Sequence, residues 1–375
     1  MIKILSYSFL LVLGLVGSQF RGDFGEEWIE LATMFSLSFI IIYIGYEFEI
    51  DKSNPKKYGW DFIVAATAAT FPWLFCAAYF IWMLDVNSWR EALLLTHFAA
   101  TTSAGVLFSM LAAAGLASTW VFRKIRVLAI FDDLYTILNL ILLKTTMIGM
   151  KWELGAILLM IVFCLWLAWR YLHALRVPIS WPWVMLYSIV ITGFCKAVFL
   201  SSKIIGDTIP VHIEVVFLAF VLGCMLARPP GYNPHISDKR VGPSEGPEDP
   251  KTQLLITIVV SIFMIMVGLS MPLIAIDDIV WSVLAVHVIG VTLLSNLGKM
   301  FPLVCYRNEA SLRERLALCI GMFSRGEMGA GFVLVSMAYG LGGMPLTVAV
   351  FSLVLNLLLT GLFIIGVKKL IEAQP

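Results

Sequence analysis

The chain has 375 residues, of which 60% are hydrophobic and only 14% charged, and its mean hydropathy is +0.91. A soluble domain carries roughly 25% charged residues and has no means of hiding so much apolar area from water, so a soluble globular fold is excluded. The formal net charge of +1 argues against a nucleic-acid partner, and six cysteines without a CxxC pair suggest neither a disulfide framework nor a zinc site.

A bilayer-spanning helix needs about 20 mostly apolar residues. Twelve segments meet that description, at 4–20, 30–48, 60–83, 90–112, 124–148, 153–172, 181–200, 210–228, 253–274, 278–304, 314–339 and 344–367. Backbone groups in lipid must be paired internally, so the segments are predicted as helices and the fold class as all-α, polytopic and membrane-embedded. The connections alternate in basic charge. One set, with the two termini, holds eighteen Lys and Arg, among them Lys56, Lys57, Arg123, Lys124 and Arg126; the other holds only Arg21, Arg90, Lys151 and Lys203. Positive residues stay on the cytoplasmic side, which places both termini in the cytoplasm. Lys3, the apolar run after it and Val16-Gly17-Ser18 also have the shape of a cleavable leader, whose loss would leave eleven spans. The Pro- and Gly-rich stretch at 229–251 reads as a flexible cytoplasmic linker.

Ionisable residues inside spans are costly and normally face protein or a water-filled cavity. Asp132 and Asp133 lie in the fifth segment, Lys299 in the tenth, and Arg325 and Glu327 in the eleventh. Consecutive residues differ by about 100° around a helix, so the two aspartates are expected to have different partners. One would face a cation cavity and the other would pair with a buried base, for which Lys299 is the natural candidate. A carboxylate is a hard oxygen ligand for Na⁺ or Li⁺ and also takes a proton, and that competition couples two fluxes. Lys144 and Lys196 are read as snorkelling or helix-end residues. His97 and His287 are candidates for tuning a pH response.

Two segments carry polar interruptions. The fourth contains Thr101, Thr102, Ser103 and Gly105; the eleventh contains Ser324, Arg325, Gly326 and Glu327. Both are predicted to break near mid-membrane, where freed backbone groups and hydroxyls can help bind an ion; tight packing of small residues is the alternative. If helices 1–5 and 8–12 form two five-helix units starting from opposite sides, each is broken at its fourth helix. Such an inverted repeat divides the chain into 1–150, connecting helices at 151–208, and 209–375.

The motifs, in order, are FIIIYIGYEFEID, ATTSAG, FDD, FLAFVLGCMLA, IFMIMVGLSM, Gly298-Lys299 and FSRGEMG. Their sequence resembles the monovalent cation:proton antiporter superfamily, with the NhaA/NapA-type fold, over nearly the whole chain. The resemblance implies a homodimer in a bacterial cytoplasmic membrane, whose core moves elevator-like against a dimerisation domain. It implies Asp133 as the main cation and proton carboxylate, Asp132 as the partner of Lys299, and Thr102 at the crossing of the broken helices, with Na⁺ held at Asp133, Asp132 and Thr102. Arg325 and Glu327 match the family's RGE motif as core-stabilising residues, and the double aspartate with the lysine implies electrogenic exchange without a soluble cofactor. Ser324 stands where proline is commoner. Competing classes are a K⁺/H⁺ antiporter, a cation-coupled organic-anion symporter, and a non-transporting sensor or scaffold. An intramembrane aspartyl protease is disfavoured, because its two acids must converge on one water, which neighbours on one helix do poorly.

Overall fold

The computed structural model describes residues 2–21, 25–46, 55–148, 152–205, 215–227, 250–270 and 281–372. Among these residues the chain forms fifteen α-helices and one 3-10 turn, η1. The described part of each of the twelve apolar segments falls on one helix or a broken run. In chain order these are α1 (Ile2–Arg21), α2 (Glu26–Tyr46), α3 (Pro55–Met83), α4 (Trp89–Leu95) with η1 (His97–Ala99) and α5 (Ala104–Ala113), and α6 (Trp120–Ile148). They continue with α7 (Trp152–Arg170), α8 (Trp181–Ile205), α9 (Val215–Met225), α10 (Pro250–Leu269), α11 (Trp281–Gly298) with α12 (Pro302–Cys305), α13 (Leu312–Gly321) with α14 (Glu327–Ala338), and α15 (Gly343–Glu372).

Among the described residues, six helices are long and apolar enough to cross a membrane, or seven when the α4–α5 run, bent by 47°, is taken as one. α6 is not among them despite its length: Arg123, Lys124 and Arg126 lie in its first turns, Asp132 and Asp133 interrupt its apolar run, and Lys144 lies near its end. The tenth segment holds a break absent from the sequence expectation, a turn at residues 299–301 between α11 and α12. Most of the 229–251 linker lies outside the described residues; Pro250 and Lys251 open α10.

The chain forms two compact units. Unit 2 comprises 25–52 and 149–266. Its described helices are α2, α7, α8, α9 and most of α10. Its tightest crossing joins α2 to α9 at two glycines. A Cβ on Gly45 would lie 2.6 Å from the Phe220 carbonyl, and one on Gly223 would strike the Ile42 carbonyl. Helices in lipid lack a hydrophobic drive toward one another and associate where small residues let backbones touch. The chain after α7 is stitched to the end of α9, where the Leu175 amide donates to the Met225 carbonyl at 2.8 Å and the Ala227 amide to the Leu175 carbonyl at 2.8 Å. Lys196, read as a snorkelling or helix-end residue, is paired with Glu30 of α2 at 2.6 Å. Leu159, Val162, Phe163 and Trp166 of α7 are exposed, as suits a surface that meets lipid.

Unit 1 comprises 1–24, 53–148 and 267–375. It contains α1, α3, the broken α4–η1–α5 run, α6, α11 with α12, the α13–α14 pair and α15. α1 is packed within it, since a Cβ on Gly361 of α15 would strike the Ser8 hydroxyl and one on Gly268 the Leu11 carbonyl. Gly298 closes α11 directly against Pro72 of α3, with no room for a side chain. Lys299 is the next residue, so this contact sets where its side chain starts.

Gly223→Ala places a methyl group into the Ile42 backbone. It is expected to cost about 1–3 kcal/mol through overpacking. Gly331→Ala, in open space on α14, should be neutral or slightly stabilising. Thermal unfolding of the two purified variants checks this; equal melting temperatures would refute the crossing as a constraint.

Candidate functional site

Both predicted interruptions are present in unit 1. The fourth segment leaves helical geometry at Thr96 and resumes at Ala104, with the Ser103 hydroxyl capping α5 by accepting the Val106 amide at 3.4 Å. Gly105, expected in the break, is already helical. The eleventh segment ends α13 at Gly321 and resumes at Glu327, so Ser324, Arg325 and Gly326 lie in the break. The two breaks touch. The Ser103 amide donates to the Ser324 carbonyl at 3.1 Å, and the Thr102 hydroxyl donates to the Met322 carbonyl at 3.3 Å. Gly326 is required here, because a Cβ would lie 2.7 Å from the Ser103 hydroxyl. Thr101 is also fully buried, but its hydroxyl turns back to the Phe98 carbonyl at 3.1 Å.

A helix break frees carbonyls that need partners. In each run one freed carbonyl meets a buried cation. The Lys299 ammonium donates to the Ala100 carbonyl at 2.5 Å. The Arg325 guanidinium donates to Met322 at 3.2 Å and reaches the Ser295 carbonyl of α11 at 3.5 Å. Lys299 also holds both oxygens of Asp132, each at 2.9 Å, and neither residue has any exposed surface. Of the two aspartates left open by the residue pattern, Asp132 is therefore the one paired with the lysine. Asp133, 4% exposed, points elsewhere around α6. Its carbonyl accepts the Thr136 hydroxyl at 2.9 Å. Asp132, Asp133, Lys299 and Arg325 thus form a buried group of two acids and two bases in unit 1.

His97 lies within the first break. Its Nε2 donates to the Thr136 carbonyl at 3.1 Å, and its ring stands edge-on to Trp73 and Phe332, with centroids 4.9 and 4.4 Å away. His287 is remote, twelve residues or about 18 Å along α11 from Lys299, and its Nδ1 is 2.9 Å from the Tyr79 hydroxyl. Glu327 opens α14; its side chain and that of Lys144 lie outside the described residues.

The sequence reading missed one cluster. Asp61 of α3, 2% exposed, accepts from Lys124 at 2.9 Å and from the Tyr306 hydroxyl at 2.7 Å. Lys124 also reaches Glu309 at 3.1 Å and lies 4.2 Å from the centre of the Tyr306 ring. Burial, aided by the Asp61 carboxylate, raises the Tyr306 pKa and keeps its hydroxyl a donor. Lys124 and Arg126, counted in a cytoplasmic connection, are in fact buried residues within α6. The available signal was an acid near the start of one apolar segment and a base near the start of another, a pattern that spacing alone cannot pair.

Two broken helices crossing beside buried acid–base pairs define a membrane transporter of the kind that moves ions through a protein-lined site. Residues 2–368 match the family described as sodium/hydrogen exchanger, transmembrane, and the chain belongs to that family of cation/proton exchangers. Among solved structures it is similar to the sodium proton antiporter MjNhaP1 from Methanocaldococcus jannaschii. An electron-microscopy map of that protein gives a TM-score of 0.63 at 17% identity, covering 98% of this chain and 92% of that one. Its structure at pH 8 gives 0.56 at 15% identity, covering 95% and 91%. These likenesses establish the fold. No curated protein matches the chain.

Lys299→Met leaves the Asp132 carboxylate buried without its base. The loss is expected to be about 3–5 kcal/mol, most of it recovered in the double variant Asp132→Asn/Lys299→Met. Thermal unfolding of the single and double variants measures both, and a double variant no more stable than the single one would refute the pairing as the cause.

Proposed function

We propose that the chain is a secondary antiporter that exchanges Na⁺ or Li⁺ for protons, with the cation and the proton competing for Asp133. The observation that carries this reading is the division of labour between the two aspartates. Asp132 is held through both oxygens by Lys299, while Asp133, its neighbour in sequence, is buried in the same unit on a different face of α6. A carboxylate held in this way is occupied for as long as its lysine is charged; the neighbouring acid is the group suited to alternate between ligands. Thr102, at the crossing of the breaks, supplies a neutral oxygen of the kind a dehydrated cation requires.

Electrogenic exchange is the further part of this reading, and it sets a charge requirement. Asp132, Asp133, Lys299 and Arg325 balance when all are ionised. A single proton or a single Na⁺ adds the same charge, so one-for-one exchange moves no net charge through the site. Unequal charge movement needs a second proton, and Lys299 is the buried group placed to release it. Its ammonium occupies the Asp132 and Ala100 oxygens, which a cation would also seek. In the full reading, twelve spans form an inverted repeat with both termini cytoplasmic. The protein works as a homodimer in a bacterial cytoplasmic membrane and alternates access by movement of the site-bearing helices. Its role there is pH homeostasis. Arg325 and Glu327 stabilise the core, and His97 and His287 adjust the pH response.

The test uses proteoliposomes with an internal pH dye, an imposed proton gradient, and Na⁺, Li⁺ or K⁺ added outside. Na⁺-dependent dissipation is expected in the parent protein and to fall at least about 100-fold in Asp133→Asn, the scale on which loss of a proton-transfer group acts. Clamping the membrane potential is expected to change the rate. No dissipation with any cation, from protein shown to be folded, would overturn the antiport reading, and dissipation with K⁺ alone would overturn the ion assignment.

A further inference from the structure

We infer that the Asp61–Lys124–Tyr306 cluster is a positioning clamp for the Asp132–Lys299 pair, an inference that rests on that pair belonging to the transport site. Three segments build both clusters. α3 supplies Asp61 at one point and Pro72, against Gly298, at another. α6 supplies Lys124 and Asp132. The run from α11 through α12 supplies Lys299 and then Tyr306. α6 and the α11–α12 run are therefore fixed at the clamp and at the site, and α3 at the clamp and beside the site, where Pro72 meets Gly298.

α6 is continuous from Trp120 to Ile148, so Lys124 and Asp132 sit on one helix about 12 Å apart. A slip of α6 by one residue is about 1.5 Å along its axis. The slip also turns the helix by about 100°, which would carry the Asp132 carboxylate away from its 2.9 Å contacts with Lys299. The clamp opposes such a slip because its members are buried and directional. Lys124 meets Asp61 and the face of the Tyr306 ring, and the Tyr306 hydroxyl meets the same Asp61 oxygen that Lys124 approaches most closely. Buried ion pairs of this kind contribute little net stability compared with well-packed apolar groups, and holding one arrangement against its alternatives is their better-attested use. Glu309 is the exposed arm, at 35%. An exposed pair is screened, so Glu309 contributes least to position.

The experiment measures apparent KM for Na⁺, maximal exchange rate and melting temperature in proteoliposomes or detergent for Asp61→Asn, Tyr306→Phe, Glu309→Gln and the parent. Gly223→Ala, a destabilised variant in the other unit, serves as the control for stability alone. Tyr306→Phe removes one hydroxyl, retains the ring and is the variant least prone to misfolding. Asp61→Asn is expected to reduce the ratio of maximal rate to KM about 10- to 100-fold per folded molecule, the scale of a displacement near 1 Å at a reacting site. Tyr306→Phe should show a smaller loss in the same direction and Glu309→Gln about twofold or less. Gly223→Ala should lower melting temperature with KM unchanged. Asp61→Glu should restore part of the loss. Clamp variants that alter only melting temperature, or a Glu309→Gln effect larger than that of Tyr306→Phe, would overturn the clamp while leaving exchange through Asp133 intact. A parent protein that exchanges no cation would overturn the transport reading and the clamp with it.

Discussion

A charge without access to water must be met by an opposite charge or by hydrogen bonds, and this requirement organises unit 1 around the contact between Lys299 and Asp132. Both residues are fully buried. Leaving either one alone in such surroundings costs several kcal/mol, so the helices that carry them must stay where the pair can form. Gly298 against Pro72 brings α11 close enough to α3 to start the lysine in the right place. The continuous α6 presents the carboxylate. The lysine's contact with the Ala100 carbonyl extends the same constraint to the first broken run.

The breaks depend on this arrangement. An interrupted helix in lipid leaves amides and carbonyls unpaired unless protein supplies partners. Here each run uses the other. Ser103 donates to Ser324, Thr102 donates to Met322, and Gly326 leaves room for Ser103 to approach. The carbonyls also receive buried cations, Lys299 at Ala100 and Arg325 at Met322. Each base therefore neutralises charge and completes a broken backbone at once. Neutralising Lys299 would remove the counter-charge of Asp132 and the partner of Ala100 together, so the two consequences cannot be varied separately at that position.

Much of this was legible in the residues. Hydropathy located the helical segments, because apolar runs bounded by polar connections carry a strong signal. The polar interruptions located both breaks, because Thr102-Ser103 and Ser324-Arg325-Gly326 have no reason to lie in a lipid-facing helix. The motif glycines turned out to be contact residues. Gly45, Gly223, Gly268 and Gly298 each lie where a Cβ would collide with a neighbouring backbone. What stayed hidden was pairing across distance in sequence. Lys196 with Glu30, and Asp61 with Lys124, join residues 166 and 63 positions apart. Each of those charges sits near a segment end, where a solvated position explains it equally well. The choice between Asp132 and Asp133 as the partner of Lys299 depends on helix rotation, which adjacent identical residues cannot reveal; the family resemblance named Asp132, the residue the lysine holds.

The two units meet their packing requirements by different means. Unit 2 relies on backbone-to-backbone approach at Gly45 and Gly223, and its half-buried Lys196 is matched by a partly exposed Glu30. Unit 1 holds the fully buried charges, both breaks and the second ion-pair cluster. A site that must release and rebind an ion needs groups whose charge state can change, and the surroundings must keep their places while it does. In unit 1 the acid expected to change state, Asp133, is adjacent in sequence to the acid locked by Lys299. Asp132 is held by Lys299, and the helix rotation of about 100° per residue turns its neighbour to a different face. A single Asp-Asp sequence thus places one carboxylate in a buried ion pair and its neighbour on a different face of the same helix.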